Sequence, residues 1–376
     1  MTNEKSAKAL VEGKKIVVSG KFSNFTQRAT LEAIIQWFGG KVASSISKST
    51  NYLVAGEAVG PAKLAKCKEL GIPIVFEEEF VELMRNDTIV IPDGVVEIAD
   101  NAFYKCSGLT HVVIPESVTT IGKAFTACEN LETVELPSSV TKIHWDCFYC
   151  CGNLKEIKLA PGNKVFKSHK GIILCGDSVF ICPPKLPIEV VDLPKGIKYV
   201  GGFHWNNYIR EVKLPEGVEK IGEYAFCNCK NLEKINLPDS IKSIGTGAFG
   251  FSALTSVTIP NSIVEIRWHT FWNCEKLKNV KLPESLKSIS LNAFENCQVL
   301  EEVEIPDSVV KIGLGAFSNC TSIKHIRLPK SLEDLESSAF MGCKIKSVEI
   351  PENFQLWRGD IRRYSGFEKC ETVTKY

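Results

Sequence analysis

Apolar residues follow two different rhythms along the chain, and the rhythm changes near residue 88. From about residue 10 to 85, short β-branched runs alternate with stretches of helical spacing. Ile16-Val17-Val18, closed by Ser19-Gly20, has the form of a buried strand. Thr26 is placed to cap a helix in which Ala29, Ala33, Ile34 and Trp37-Phe38 recur at helical spacing, and Gly39-Gly40 ends it. Lys41-Val42 and Tyr52-Leu53-Val54 supply two more strands. A helix from about Ala62 stops at Gly71, and the strand Pro73-Ile74-Val75-Phe76 follows. Glu77-Glu78-Glu79 then opens a last helix through Phe80 and Leu83, with acids at its positive end. This alternation predicts an α/β domain over residues 8–86, a parallel four-stranded sheet flanked by helices.

From residue 88 the text is an internal repeat. Prolines follow an apolar residue at 92, 115, 137, 194, 215, 238, 260, 283, 306, 329 and 351, and most intervals are 22 or 23 residues. Phenylalanine recurs at 103, 125, 148, 203, 226, 249, 271, 294, 317 and 340. A fixed period of this length with a Leu-x-x-Val-x-Ile signature predicts a β-rich leucine-rich-repeat solenoid over 88–376. Each unit buries its apolar edge only by stacking on the next. Between Leu159 and Leu193 the period breaks, and two β-rich runs around Cys175-Gly176-Asp177 predict a hairpin inserted near 164–182. Past Pro351 the repeat decays through Trp357-Arg358-Gly359-Asp360, while Phe367, Cys370 and Val373 keep the spacing of an incomplete last rung. Residues 352–376 are therefore expected to cap one end of the array, with the N-terminal domain protecting the other.

Composition narrows the chemistry. The 376 residues include 45 Lys+Arg and 44 Asp+Glu, a net of +1, with 44% apolar residues. Such a chain is folded, and its charge steers it globally toward neither nucleic acid nor membrane. Through residue 90 the balance is 12 basic to 10 acidic, which leaves 33 and 34 for the repeats. The polar N-terminus lacks the apolar stretch of a signal peptide, and no run approaches the roughly 20 apolar residues of a spanning helix. A cytoplasmic location with no membrane partner is expected.

Cysteines number fifteen, and eight of them (106, 128, 151, 229, 274, 297, 320 and 343) stand three residues after the repeat phenylalanine. Asn206 and Ser252 fill that slot elsewhere. A column of one small residue type reads as reduced core thiols. Cys147-Phe148-Tyr149-Cys150-Cys151 beside His144 has the look of a metal knot, yet Cys147 takes the alanine slot and Cys151 the cysteine slot. Cys227 and Cys229 fail in the same way, so no metal and no cofactor are expected. The six histidines are scattered, no phosphate-loop or His-Glu-x-x-His motif occurs, and Gly245, Gly247 and Gly250 lie in a repeat turn. No catalytic residues are assigned, and an enzyme is the least expected class.

Val17-Val18-Ser19-Gly20, Arg28, Gly39-Gly40-Lys41-Val42, Ser47-Lys48-Ser49-Thr50-Asn51-Tyr52-Leu53-Val54-Ala55-Gly56, Gly60-Pro61-Ala62-Lys63 and Glu69-Leu70-Gly71-Ile72-Pro73-Ile74 together resemble a BRCT domain. The likeness is to the type in bacterial NAD-dependent DNA ligases and the large subunit of replication factor C. The loop before Arg28 is one residue longer than in the ligase pattern, and Phe80 stands where many such domains carry tryptophan. The resemblance implies a phosphate site at Ser19, Gly20 and Lys63, with Arg28 characteristic of the DNA-binding subgroup. Its ligand would be a phosphopeptide or a DNA 5′-phosphate end. Residues 88–376, through their Ile/Leu-Pro, Ile-Gly and Ala-Phe pairs, resemble the BspA-like, or Treponema-type, leucine-rich repeats. Many of that family are surface proteins.

In each Val-x-Ile strand the x residue should face outward on the concave sheet, where solenoids bind partners. That column reads Val113, Glu135, Lys158, Lys213, Asn236, Thr258, Lys281, Glu304, Arg327 and Glu349. Its mixed signs favour a protein partner over a polyanion, or a merely solvated face. Trp145 and Trp268 share one register, with Trp272 and Trp205 nearby, as binding residues or as fillers beside irregular units. The expected function is a non-enzymatic intracellular adaptor, its BRCT module taking a phosphorylated group and its repeats a protein. The alternatives are a DNA 5′-phosphate-end-binding accessory factor in repair or replication, and a surface adhesin.

Overall fold

The structure, a computed structural model, describes residues 6–23, 25, 28–85, 87–352, 354, 361 and 366–376. Thr26 and the run Trp357–Asp360 lie outside the described residues. The chain divides into two compact units, Met1–Lys167 and Ser168–Tyr376.

The first unit opens with a four-stranded sheet. Strands β1 (Lys15–Ser19), β2 (Lys41–Ala43), β3 (Tyr52–Ala55) and β4 (Ile74–Phe76) lie in the order β2-β1-β3-β4, every pair parallel. Helices α1 (Ala7–Val11), α2 (Arg28–Trp37), α3 (Pro61–Leu70) and α4 (Glu77–Met84) surround it. Side chains alternate along a strand. Val17, Leu53 and Ala55 pack with Cys67 of α3 on one face, which leaves Ile16, Val18 and Val54, all fully buried, pointing to the other. Gly71 closes α3 in the left-handed conformation, φ 65°.

Two local features depart from the sequence reading. The five-residue α1, capped by Ser6 Oγ accepting the Ala9 N–H at 3.2 Å, is too short to show a periodic pattern. Glu77 does more than face the helix dipole: it is 1% exposed, and its Oε2 accepts the Ser23 N–H at 3.0 Å, tying α4 to the loop after β1.

The rest of the first unit, and the second unit apart from a hairpin near its start, are β-solenoid turns. In the first unit, strands Thr88–Val90, His111–Val113, Thr133–Leu136 and Glu156–Leu159 form one parallel ladder, and Glu97–Ile98, Thr120–Ile121 and Lys142–Ile143 a second. Trp37 from α2 packs on Phe103 at 5.5 Å between ring centroids, Phe103 stacks on Phe125 at 5.1 Å, and Phe125 on Phe148 at 5.7 Å. In the second unit, Ile172–Cys175 and Ser178–Ile181 make an antiparallel hairpin. Seven phenylalanine rings from Phe203 to Phe340 then stack at 5.0–5.7 Å. Phe367 meets Phe340 edge-on, at 72°, and Thr372–Lys375 adds a parallel strand to Ser347–Ile350.

All fifteen cysteines are free. The column is more than filler. From Cys128 onward, each thiol of the column reaches back one rung to the carbonyl of a repeat phenylalanine, as Cys128 does to Phe103 at 2.9 Å, Cys229 to Phe203 at 3.0 Å, Cys297 to Phe271 at 3.2 Å and Cys320 to Phe294 at 3.1 Å. The substitutes in that slot are donors too. Asn206 Nδ2 donates to the Pro183 carbonyl at 3.0 Å, and Ser252 Oγ lies 3.4 Å from Cys274 Sγ. Burial pushes the thiols of Cys106 and Cys274 in the column, and of Cys147 outside it, up to about 12 and raises those of Cys128, Cys229 and Cys320.

Candidate phosphate-binding site

β1 ends at Ser19, and the chain turns at once through Gly20, whose φ of +114° favours glycine. A Cβ there would lie 2.8 Å from the Glu57 carbonyl oxygen. That close approach lets the turn lock onto the loop after β3. Lys21 N–H donates to the Glu57 carbonyl and Glu57 N–H to the Lys21 carbonyl, both at 2.7 Å, while Gly56 N–H donates to Ser19 at 2.9 Å. The same loop leads into α3, where Gly60 is the N-cap without a side-chain cap and Pro61 follows. Lys63 thus rises from the first turn of α3 directly beside the end of β1.

Lys63 Nζ donates to Ser19 Oγ at 3.0 Å. Ser19 is buried, at 7% exposure, and Lys63 is half-buried. Because its oxygen already accepts from the ammonium, the Ser19 hydroxyl proton is left to donate, and Lys63 keeps further N–H groups to direct at the same point. The helix start adds a positive dipole end, though Pro61 carries no N–H and the Lys63 N–H donates to the Gly60 carbonyl at 3.0 Å. A lysine in a helix's first turn opposes that dipole. An anion would resolve the conflict.

Arg28 is placed differently. It opens α2, and its Nε lies 2.7 Å from Glu32 Oε1, one helical turn on. The structure therefore joins Ser19, Gly20 and Lys63 at one corner and commits Arg28 to a partner of its own. Glu32 was readable from the four-residue spacing. The partnership of Gly20 with Glu57 was not, because it depends on how the turn folds over a loop 37 residues away.

The outward column of the repeats is solvent-facing where the alternation puts it. In the first unit Glu135 and Lys158 are exposed and lie 3.4 Å apart, beside a groove of about 390 Å³ lined also by Val113, Glu116 and Leu159. In the second, Lys213, Asn236, Thr258, Lys281 and Glu304 are exposed, with Arg327 and Glu349 half-buried. Arg327 holds Asp307 through Nη1 at 2.8 Å and Glu349 through Nε at 3.8 Å. Trp145, Trp268 and Trp205 are exposed, at 73%, 57% and 43%, so they do not fill the core; Trp272 packs on Phe251 at 4.7 Å.

Comparison with known proteins follows this division. Residues 75–170, 176–300 and 243–374 match the BspA type leucine rich repeat region, in six copies. The chain belongs to the BspA-type leucine-rich-repeat family. Ahead of its repeats, residues 9–84 of this BspA-type protein match the BRCA1 C Terminus (BRCT) domain. Over 85 residues it is 52% identical to a DNA ligase of Desulfitobacterium hafniense, and over 75 residues 47% identical to one of Christiangramia forsetii. Those stretches are 22% and 20% of this chain but only 13% and 11% of the ligases. A solved leucine-rich-repeat protein of Eubacterium ventriosum superposes with a TM-score of 0.62 at 19% identity, covering 93% of this chain and 94% of that one. The pneumococcal vaccine antigen PcpA gives 0.51 at 19% identity, covering 88% and 78%. These two likenesses show the fold. BRCT and leucine-rich-repeat domains are binding modules, and among the described residues no helix is long and apolar enough to cross a membrane.

Proposed function

We propose that this BspA-type protein is a non-enzymatic, cytoplasmic adaptor whose BRCT module takes a phosphorylated group at Ser19, Gly20 and Lys63, while the repeats hold a protein partner. The observation that carries the reading is the 3.0 Å contact between Lys63 Nζ and the buried Ser19 hydroxyl, at a helix start without a side-chain cap. The outward column supports a protein rather than a polyanion on the repeats, since its charges alternate and pair along the array. Glu135, Lys158, Lys213, Lys281, Glu304, Arg327 and Glu349 are its proposed contacts.

The likeness to the BRCT segments of DNA ligases favours one ligand among the phosphates, a DNA 5′-phosphate end. Arg28, whose exposed ion pair with Glu32 is readily exchanged, would then turn to the backbone beside that end. The test is a paired binding screen on the full chain: duplex DNA with 5′-phosphate against 5′-hydroxyl ends, and phosphoserine against serine peptides. A preference for one phosphorylated member of a pair is expected. Equal affinity within both pairs would sink the pocket.

A further inference from the structure

A second set of basic residues gathers at the other end of β1, along the edge from which β1 and β2 start. Lys15 opens β1 and Lys41 opens β2, and the two are Cα partners in the parallel ladder. Neighbouring strands lie about 4.8 Å apart, so their stems leave the sheet side by side. Lys14 joins them, since its carbonyl accepts the Lys41 N–H at 2.8 Å. The 47–51 loop brings Lys48 to the same edge: Asn51 Oδ1 accepts the Lys15 N–H at 2.8 Å, and Lys15 Nζ donates to Ser49 Oγ at 3.0 Å. Lys14, Lys41 and Lys48 are exposed, and Lys15 is half-buried.

None of these four lysines takes part in an ion pair among the described residues. Like charges directly opposite on neighbouring strands destabilise a sheet. The near-neutral total of the domain conceals this asymmetry. Between residues 12 and 69 there are nine basic residues (Lys14, Lys15, Lys21, Arg28, Lys41, Lys48, Lys63, Lys66 and Lys68) against four acidic ones, Glu12, Glu32, Glu57 and Glu69, of which Glu12 lies beside Gly39 at this edge.

We propose that this lysine edge is a second anion-contact surface, and that it grips the backbone of double-stranded DNA at internal phosphates. A single phosphate is already answered by Ser19 and Lys63 at the other end of β1, about 13 Å away along a five-residue strand. A cluster of ammonium point charges suits a repeating polyanion rather than one planar group. Duplex DNA, with a charge about every 1.7 Å of axis, can answer all four at once, which a singly phosphorylated peptide cannot. The proposal stands without the pocket, because a duplex with 5′-hydroxyl ends must still bind.

The experiment measures affinity of the full chain for a 5′-hydroxyl duplex of about 20 base pairs, from about 50 to 200 mM salt. The fourfold variant Lys14→Gln, Lys15→Gln, Lys41→Gln, Lys48→Gln should bind at least about tenfold more weakly at low salt, and its log–log salt slope should be shallower by about 3–4. Its preference for 5′-phosphate over 5′-hydroxyl ends should be unchanged, whereas Lys63→Ala should lose that preference and keep the slope. Melting of the fourfold variant should be level or raised, since opposed charges are removed. Should that variant misfold, the pair Lys41→Gln, Lys48→Gln, both exposed, should still give about half the slope change. An unchanged slope and affinity would overturn the proposal. So would failure of the parent protein to bind duplex at low salt while it binds polyglutamate or phosphatidylserine vesicles.

Discussion

Ser19 exposes 7% of its surface, yet its oxygen meets an ammonium where a strand-end hydroxyl usually meets a backbone group or water. The contact gives Lys63 a fixed direction, and removing it should cost a charge-assisted hydrogen bond of about 1.5–3 kcal/mol to bound phosphate. Lys63→Ala is therefore expected to weaken phosphate-dependent binding tenfold or more, with an unchanged melting temperature, by titration against 5′-phosphorylated duplex. Arg28→Ala should separate the two ligand classes: several-fold weaker duplex-end binding, and phosphopeptide binding within about twofold, because the arginine reaches beyond the phosphate itself. Equal losses for both ligands would place Arg28 in the pocket proper. The site residues themselves were legible, through a family likeness carried by short runs such as Val17-Val18-Ser19-Gly20 and Gly60-Pro61-Ala62-Lys63. The lysine edge was not, because Lys15 and Lys41 become neighbours only once the strand order β2-β1 is known.

Rungs are where sequence reading worked best, and the reason is repetition. A position that recurs every 22 or 23 residues is averaged over many examples, so the phenylalanine and cysteine columns stand out against local noise. Their chemistry was only half readable. Burial followed from residue type, but the thiol hydrogen bond to a phenylalanine carbonyl one rung back needed coordinates. Asn206 and Ser252 were the available hint, since both are donors in an otherwise thiol column. Cys297→Ser is accordingly expected to be mild, while Cys297→Ala should remove one of the two hydrogen bonds to the Phe271 carbonyl, which keeps the Cys274 N–H at 3.1 Å, and lower stability by about 0.5–1.5 kcal/mol beyond the loss of packing. Urea denaturation of the two variants distinguishes them; equal losses would return the column to pure packing. Phe294→Ala, which opens a hole between two stacked rings, should cost more, about 3–5 kcal/mol.

Many buried thiols in one chain make its stability depend on alkali. An unfolded thiol titrates near 8.5, whereas burial holds Cys106, Cys147 and Cys274 at about 12. Below about pH 8.5 both states are protonated and nothing is lost. Above it the unfolded chain releases protons that the folded chain retains, so stability falls as pH rises, by about 1.4 kcal/mol per pH unit for each such thiol. With total stabilities of about 5–15 kcal/mol, cooperative unfolding is expected between about pH 9 and 10.5, followed by circular dichroism. A midpoint above about pH 11, where lysines and tyrosines also titrate, would contradict this. Reductant, by contrast, should leave the melting temperature essentially unchanged, because all fifteen cysteines are free.

Trp37 is the last residue of a BRCT helix and, in the same contact, the first ring of the aromatic stack that continues through Phe103, Phe125 and Phe148. Thr110 Oγ1 also donates to the Arg85 carbonyl, and a Cβ on Gly108 would lie 3.0 Å from Met84. The seam is therefore a splice, with shared core on both sides, and not a tether. A chain cut at Asp87 would leave Trp37 on one fragment and Phe103 on the other facing water. Such a seam fixes the order of the parts: the module can begin a stack, but it cannot be moved into the middle of one.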